Sequence, residues 1–173
     1  SGCGSYQLML VRGLHSVKEL DKKKRNFLMA AGVPLIHPLV DLGNYVMLEM
    51  GTPMHVFDLD HLELPLNILF PVSKKTSFQA IGGDTKIVEP SSLTIQDQKG
   101  IQAIAGIIGG QETYVSKNTK SIAVEAAFFN PDKIANQARK YGLATDASHR
   151  FERGVDPEPV SYTHLTLPTT SPV

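Results

Sequence analysis

Residues 122 to 129 read Ile-Ala-Val-Glu-Ala-Ala-Phe-Phe, seven apolar side chains around the single carboxylate of Glu125. A run of this length, preceded by Ser121 and followed by Asn130-Pro131, has the size and punctuation of a β-strand, with Ser121–Ala126 as its clearest part. Two readings of the acid stand open. By strand alternation it faces water; alternatively it faces inward, where burial demands a partner and a ligand hydroxyl is a candidate. Which of these holds decides whether the acid is a surface group or part of a site.

Working outward, similar short runs occur at Tyr45–Met50, Leu66–Phe70, Lys86–Val88, Leu93–Gln96 and Ile101–Ile108, separated by Gly, Pro, Asp or Ser. These predict a β-rich domain with few helices. One helix is expected over Ser16–Ala31, where Ser16 and Glu19 form a capping box and Val17, Leu20, Phe27, Leu28 and Ala31 share a face. Gly32 and Pro34 stop it. Its Lys22-Lys23-Lys24-Arg25 run reads as a solvated face, with phosphate contact as the minority reading. A second helix is expected over Pro131–Tyr141, with Asn130 as N-cap, Pro131 in the first position and Gly142 at the C-terminal end. The last thirteen residues, Ser161–Val173, hold Thr, Ser or Pro at eight positions and no charge, and read as an unstructured or non-native tail.

Composition narrows the function classes. With 173 residues, 42% of them apolar, the chain buries a core without staples. Seventeen basic and seventeen acidic residues cancel, so any RNA contact must be local. A lone Cys3 makes no internal disulfide, and at the terminus it reads as a simple thiol rather than a nucleophile. No apolar run approaches the roughly 20 residues of a membrane span. The Ser1-Gly2 start without a leader pattern is read as a cytoplasmic piece of something longer. Gly-x-Ser-x-Gly, phosphate-loop and His-Glu-x-x-His motifs are missing, which argues against a serine hydrolase, NTPase or zincin. His55, Asp58, Asp60 and His61 form a weak metal-type cluster without further ligands, and no metal is assigned. Gly51-Thr52-Pro53-Met54-His55 places a histidine just past a turn, able to face a cleft. The glycines of Ala105-Gly106-Ile107-Ile108-Gly109-Gly110 either admit a ligand to backbone N–H groups or make a bulge and tight turn.

Asp41 to Gly51 with Asn-Tyr-Val-Met-Leu-Glu, then Pro53-Met54-His55-Val56-Phe57-Asp58, Ile104–Gly110, Glu125–Pro131 and Thr145-Asp146-Ala147-Ser148-His149-Arg150-Phe151-Glu152-Arg153-Gly154-Val155-Asp156-Pro157 resemble, in order and spacing, the B3/4 editing domain of the phenylalanyl-tRNA synthetase β subunit. The resemblance covers residues 3–157. It implies an α+β fold, one compact unit of two interleaved subdomains built on antiparallel sheet with a few flanking helices, over residues 1–160. It also implies an activity, hydrolysis of tyrosine wrongly esterified to the phenylalanine tRNA. An apolar pocket built for phenylalanine rejects an added hydroxyl poorly, so a second, polar site must sort.

Carried over residue by residue, the resemblance puts the hydroxyl-reading carboxylate at Glu125 and the cleft histidine and its asparagine at His55 and Asn44, as catalytic candidates. Ala105 and Gly106 become one wall of the amino-acid pocket, and Thr145 and Ala147 the other. The implied partners are the 3′ end of the tRNA carrying tyrosine, the synthetase α subunit and the rest of the β subunit. No cofactor is expected in this domain; ATP and magnesium belong to aminoacylation elsewhere in the synthetase. Backbone N–H groups of residues 106–110 are the expected oxyanion donors, and His55 is either a general base or a group that orients water. The competing expectation is a non-catalytic tRNA-binding or scaffold domain that has lost editing, and a third is a metal-dependent hydrolase using the His55–His61 cluster.

Overall fold

The computed structural model describes residues 2–71 and 75–156; the tail at 161–173 lies outside them. The elements run β1 (Cys3–Val11), α1 (Lys22–Ala30), α2 (Pro38–Met50), β2 (Met54–Asp58), β3 (Asn67–Leu69), β4 (Thr76–Gln79), β5 (Thr85–Val88), β6 (Thr94–Gln96), β7 (Ile101–Ile104), β8 (Ile108–Gly109), β9 (Ile122–Phe129), α3 (Pro131–Ile134), α4 (Gln137–Lys140) and α5 (Asp146–Arg153). A first sheet has the order β1-β9-β2, a second β3-β6-β7-β8, and β4 pairs with β5. All pairings are antiparallel. The second and third sheets are thus inserted in sequence between β2 and β9 of the first, an α+β arrangement with interleaved parts.

The opening stretch sits at the centre of this plan. As the middle strand, β9 is covered on both faces, so it lacks the alternation of a half-solvated strand. Ile122 and Val124 pack with Val56, Val115 and Leu39 of α2. Ala123, Ala127 and Phe129 turn the other way, into a core with Phe57, Ile95, Ala103, Ala105 and Phe151 that joins the first two sheets and α5. Fully burying side chains the size of Phe57 and Phe129 stabilises the fold by about 1.5–3 kcal/mol each.

Four expectations differ from the structure. Tyr45–Met50 is not a strand but the end of α2, in which Leu39, Gly43, Val46 and Met47 are buried at helical spacing. Pro38 starts that helix and Gly51, at φ +81°, ends it. The first helix spans only Lys22–Ala30, because Asp21 rather than Ser16 caps it, its carboxylate accepting from Lys24 N–H at 2.9 Å. Of the predicted stripe only Leu28 becomes a buried helical residue. The Lys22–Arg25 run is a surface, with Lys24 paired to Asp21 and Arg25 to Glu19.

The helix expected over Pro131–Tyr141 splits into α3 and α4 at Asn136, which takes φ +61° and donates its N–H to Glu152 of α5 at 3.0 Å. Its predicted ends hold: Asn130 accepts from Asp132 N–H, and Gly142 has φ +67°. Ile101–Ile108 is a hairpin rather than one strand, turning at Gly106 with φ +69°. Among the described residues no helix is long and apolar enough to cross a membrane.

Candidate functional site

Pairing register brings the central acid and the histidine together. In β2, His55 lies directly opposite Glu125, so both side chains leave the same face of the sheet. Leu8 of β1 is the neighbour of Glu125 on the other side, and Tyr6, paired with Ala127, is its diagonal neighbour. That face is the inner one. Glu125 is only 5% exposed, so the water-facing reading of the acid is excluded.

A cavity of about 70 Å³ lies over these residues. His55 and Glu125 form its polar lining, Ile104, Gly106 and Ile108 come from the β7–β8 hairpin, and Ala147 and Phe151 come from α5. Apart from His55 and Glu125 the residues that line it are apolar or glycine. A wider concavity of about 360 Å³ lies beside α5, lined by Gly51, Asp146, His149, Arg150 and Arg153. It contains none of the predicted site residues and no buried titratable side chain, whereas the smaller cavity brings together His55 and Glu125.

Burial sets the protonation states. Desolvation pushes the Glu125 carboxyl up to about 7, opposed by a hydrogen bond from the Tyr6 hydroxyl to Oε2 at 2.9 Å. The second carboxylate oxygen has no hydrogen-bond partner among the described residues, and Glu125 lines the cavity. Desolvation also pushes His55 down to about 4, so its imidazole is neutral at physiological pH. The ring packs edge-on against Phe57, with centroids 4.4 Å apart. Gly109 lies under it: a Cβ there would stand 2.6 Å from Nε2. The Tyr6 phenol is held far above its ordinary range by burial and then by the charge of Glu125.

The remaining predicted residues divide. Gly106 and Ala147 line the cavity. At Gly106 a Cβ would strike the Phe151 ring at 2.9 Å and the backbone takes φ +69°, so core packing and a left-handed turn both favour glycine there. Ala105 is fully buried in the core behind the cavity and bonds to Leu93. Thr145 does not line the cavity; its hydroxyl caps α5, accepting from Ser148 N–H at 3.1 Å, and so sets the position of Ala147. Asn44 lies half-buried on α2, the helix that covers the opposite sheet face, and does not line the cavity.

In the hairpin turn Ile107 N–H donates to Ile104 and Gly110 N–H to Gln102, which removes both as oxyanion donors. Gly106 N–H makes no backbone hydrogen bond among the described residues. Asp58 accepts from Thr119 at 2.6 Å and from Asp60 N–H at 3.1 Å, and His61 is 3.7 Å from it. No group of three or more His, Cys, Asp or Glu suited to a metal ion occurs among the described residues. Cys3 is fixed in β1, and burial pushes its thiol up to about 11, which leaves it protonated and a poor nucleophile. Tyr6 was not among the predicted site residues. Its signal was the placing of Tyr6 and Leu8 on one face of a strand, which the short Cys3–Val11 segment conveys only once its partner is known.

Fold and site together define a small α+β domain with a hydrogen-bonding pocket between two sheets, built around one buried carboxylate. The chain belongs to the B3/4 domain family, whose model matches residues 2–167. It is 41% identical over 158 residues to the phenylalanine–tRNA ligase β subunit of Idiomarina loihiensis, covering 90% of this chain and 20% of that protein. The β subunit from Mannheimia succiniciproducens is 42% identical over 154 residues, covering 89% and 19%. The chain therefore spans about a fifth of the length of these relatives. In three dimensions it is similar to an N-terminal fragment of the phenylalanyl-tRNA synthetase β subunit from Pyrococcus horikoshii, with TM-score 0.52, 16% identity, and coverage of 73% of this chain and 40% of that one, a likeness of fold alone.

Proposed function

We propose that this domain is the proofreading module of a phenylalanine–tRNA ligase β subunit and hydrolyses the ester that joins tyrosine to the phenylalanine tRNA. The observation that carries the reading is the buried Glu125 carboxylate, with one oxygen bonded to Tyr6, the other without a hydrogen-bond partner among the described residues, and the residue lining a cavity shared with His55. An ionised carboxylate accepts from a substrate phenol, and a charge-assisted bond of this kind is worth roughly 1.5–3 kcal/mol. A phenylalanyl ester leaves that acceptor unpaired and is disfavoured.

With its conjugate acid near 4, His55 is a weak base at neutral pH, so it orients the attacking water rather than removing its proton. Gly106 N–H, which makes no backbone hydrogen bond among the described residues, is a backbone donor for the tetrahedral oxyanion. ATP, magnesium and the α subunit act in aminoacylation elsewhere in the cytoplasmic ligase and enter no step here.

A second reading starts from the same place on the cavity wall: burial raises the Glu125 carboxyl to about 7, a range that suits proton transfer and makes it a candidate general base. Deacylation of tyrosyl- and phenylalanyl-tRNA by the full chain, with and without Glu125→Ala, separates the two. The recognition reading expects loss of roughly ten- to a hundredfold on the tyrosyl ester alone, from the bond energy above. Equal losses on both esters favour the base, and unchanged rates on both refute proofreading by this site.

A further inference from the structure

Glu125 has two acceptor oxygens, and the chain already shows one of them receiving a phenol: Tyr6 donates to Oε2 at 2.9 Å from the neighbouring strand. We propose that Tyr6 is a positioning residue, whose hydroxyl clamps one carboxylate oxygen of Glu125 and thereby aims the other into the cavity.

The geometry that supports this is fixed by the sheet. Tyr6 and Glu125 occupy diagonal positions on one face of the β1–β9 pair, so the register of eight paired positions holds the donor in place. A glutamate on a central strand would otherwise be free to rotate about its side-chain torsions, and a carboxylate able to turn toward or away from the cavity is a poor reader of a single oxygen atom. Fixing one oxygen removes that freedom before any ligand arrives, the usual way in which preorganisation raises selectivity.

The clamp also acts on charge. A phenol donating to a carboxylate favours the ionised acid, against burial, which disfavours it. The titratable groups facing Glu125 are Cys3 and Tyr6 from β1 and His55 from β2. The second sheet and α5 contribute apolar residues and glycines, such as Ala103, Ile108, Ala147 and Phe151. With Cys3 protonated and His55 neutral, Tyr6 is the one neighbour among these that stabilises the charge.

The consequence for selectivity rests on the proposed recognition role of Glu125; the clamp itself does not. The test is Tyr6→Phe, which keeps the ring and removes only the hydroxyl. In full-length protein labelled with ¹³C-carboxyl glutamate, the Glu125 titration midpoint should rise by about one pH unit, a tenfold change in acidity, and the tyrosyl-to-phenylalanyl deacylation ratio at neutral pH should fall about tenfold. An unmoved midpoint overturns the clamp, whatever the activity. A raised midpoint with an unchanged ratio upholds the clamp and overturns the recognition role of Glu125 instead. Should the variant fail to fold, the wild-type protein decides: a slowly exchanging Tyr6 hydroxyl proton coupled through space to the Glu125 side chain supports the clamp, and a hydroxyl exchanging as fast as that of an exposed tyrosine overturns it.

Discussion

Replacing Glu125 by glutamine should make the protein more stable, and increasingly so as pH rises. Burial carries the folded-state midpoint of this carboxyl from its ordinary 4.5 to about 7. The folded protein therefore binds more protons than the unfolded chain across that interval, so the contribution of Glu125 to stability is complete below 4.5 and is lost as pH rises through 7. At about 1.4 kcal/mol for each tenfold change in proton affinity, the ionised acid costs about 3 kcal/mol in alkaline solution. Glutamine has nearly the same shape, can still accept from Tyr6, and bears no charge to desolvate. Urea unfolding of wild type and Glu125→Gln at pH 5 and pH 8 gives the difference directly, and His55, present in both proteins, cancels. The stability advantage of the variant should grow by about 2 kcal/mol between the two pH values. An advantage that is the same at both, or a variant that is less stable at pH 8, would refute the claim that this acid is buried at the expense of the fold.

Gly109→Ala puts a methyl group 2.6 Å from the His55 imidazole at a backbone conformation alanine adopts freely, so it should displace the ring and cut tyrosyl ester hydrolysis at least tenfold, with a crystal structure showing the moved side chain. Thr145→Ala should cost about 1 kcal/mol through the lost helix cap, measured by thermal unfolding, while Thr145→Ser restores both stability and activity; a serine variant as inactive as alanine would instead mean that the threonine methyl touches substrate.

The strand carrying Glu125 was legible because a central position needs apolar residues on both faces, and that need writes itself into an unbroken run. The direction of the acid was not legible, since it depends on which strands flank β9, and Cys3–Val11 and Met54–Asp58 are distant in sequence. Tyr45–Met50 misled for a related reason: its apolar composition suits a strand, and only the extension back through Gly43 and Leu39 reveals the helical period. Of the residues the resemblance implies, Glu125, His55, Gly106 and Ala147 line one cavity, a juxtaposition their sequence positions do not show. The resemblance gave no account of how Thr145 or Ala105 act, because a cap and a core contact become visible only when helix and sheet are placed.

The partnership between Tyr6 and Glu125 joins residues 119 positions apart in the chain. Closing so long a loop carries an entropic cost that must be met before the contact can reward it. A ribosome making the chain would release Tyr6 early and leave it exposed until Glu125 emerged to meet it. Any function that needs a held Glu125 would then arise only in molecules whose first and ninth strands had paired, which ties the order of the site to the completeness of the fold.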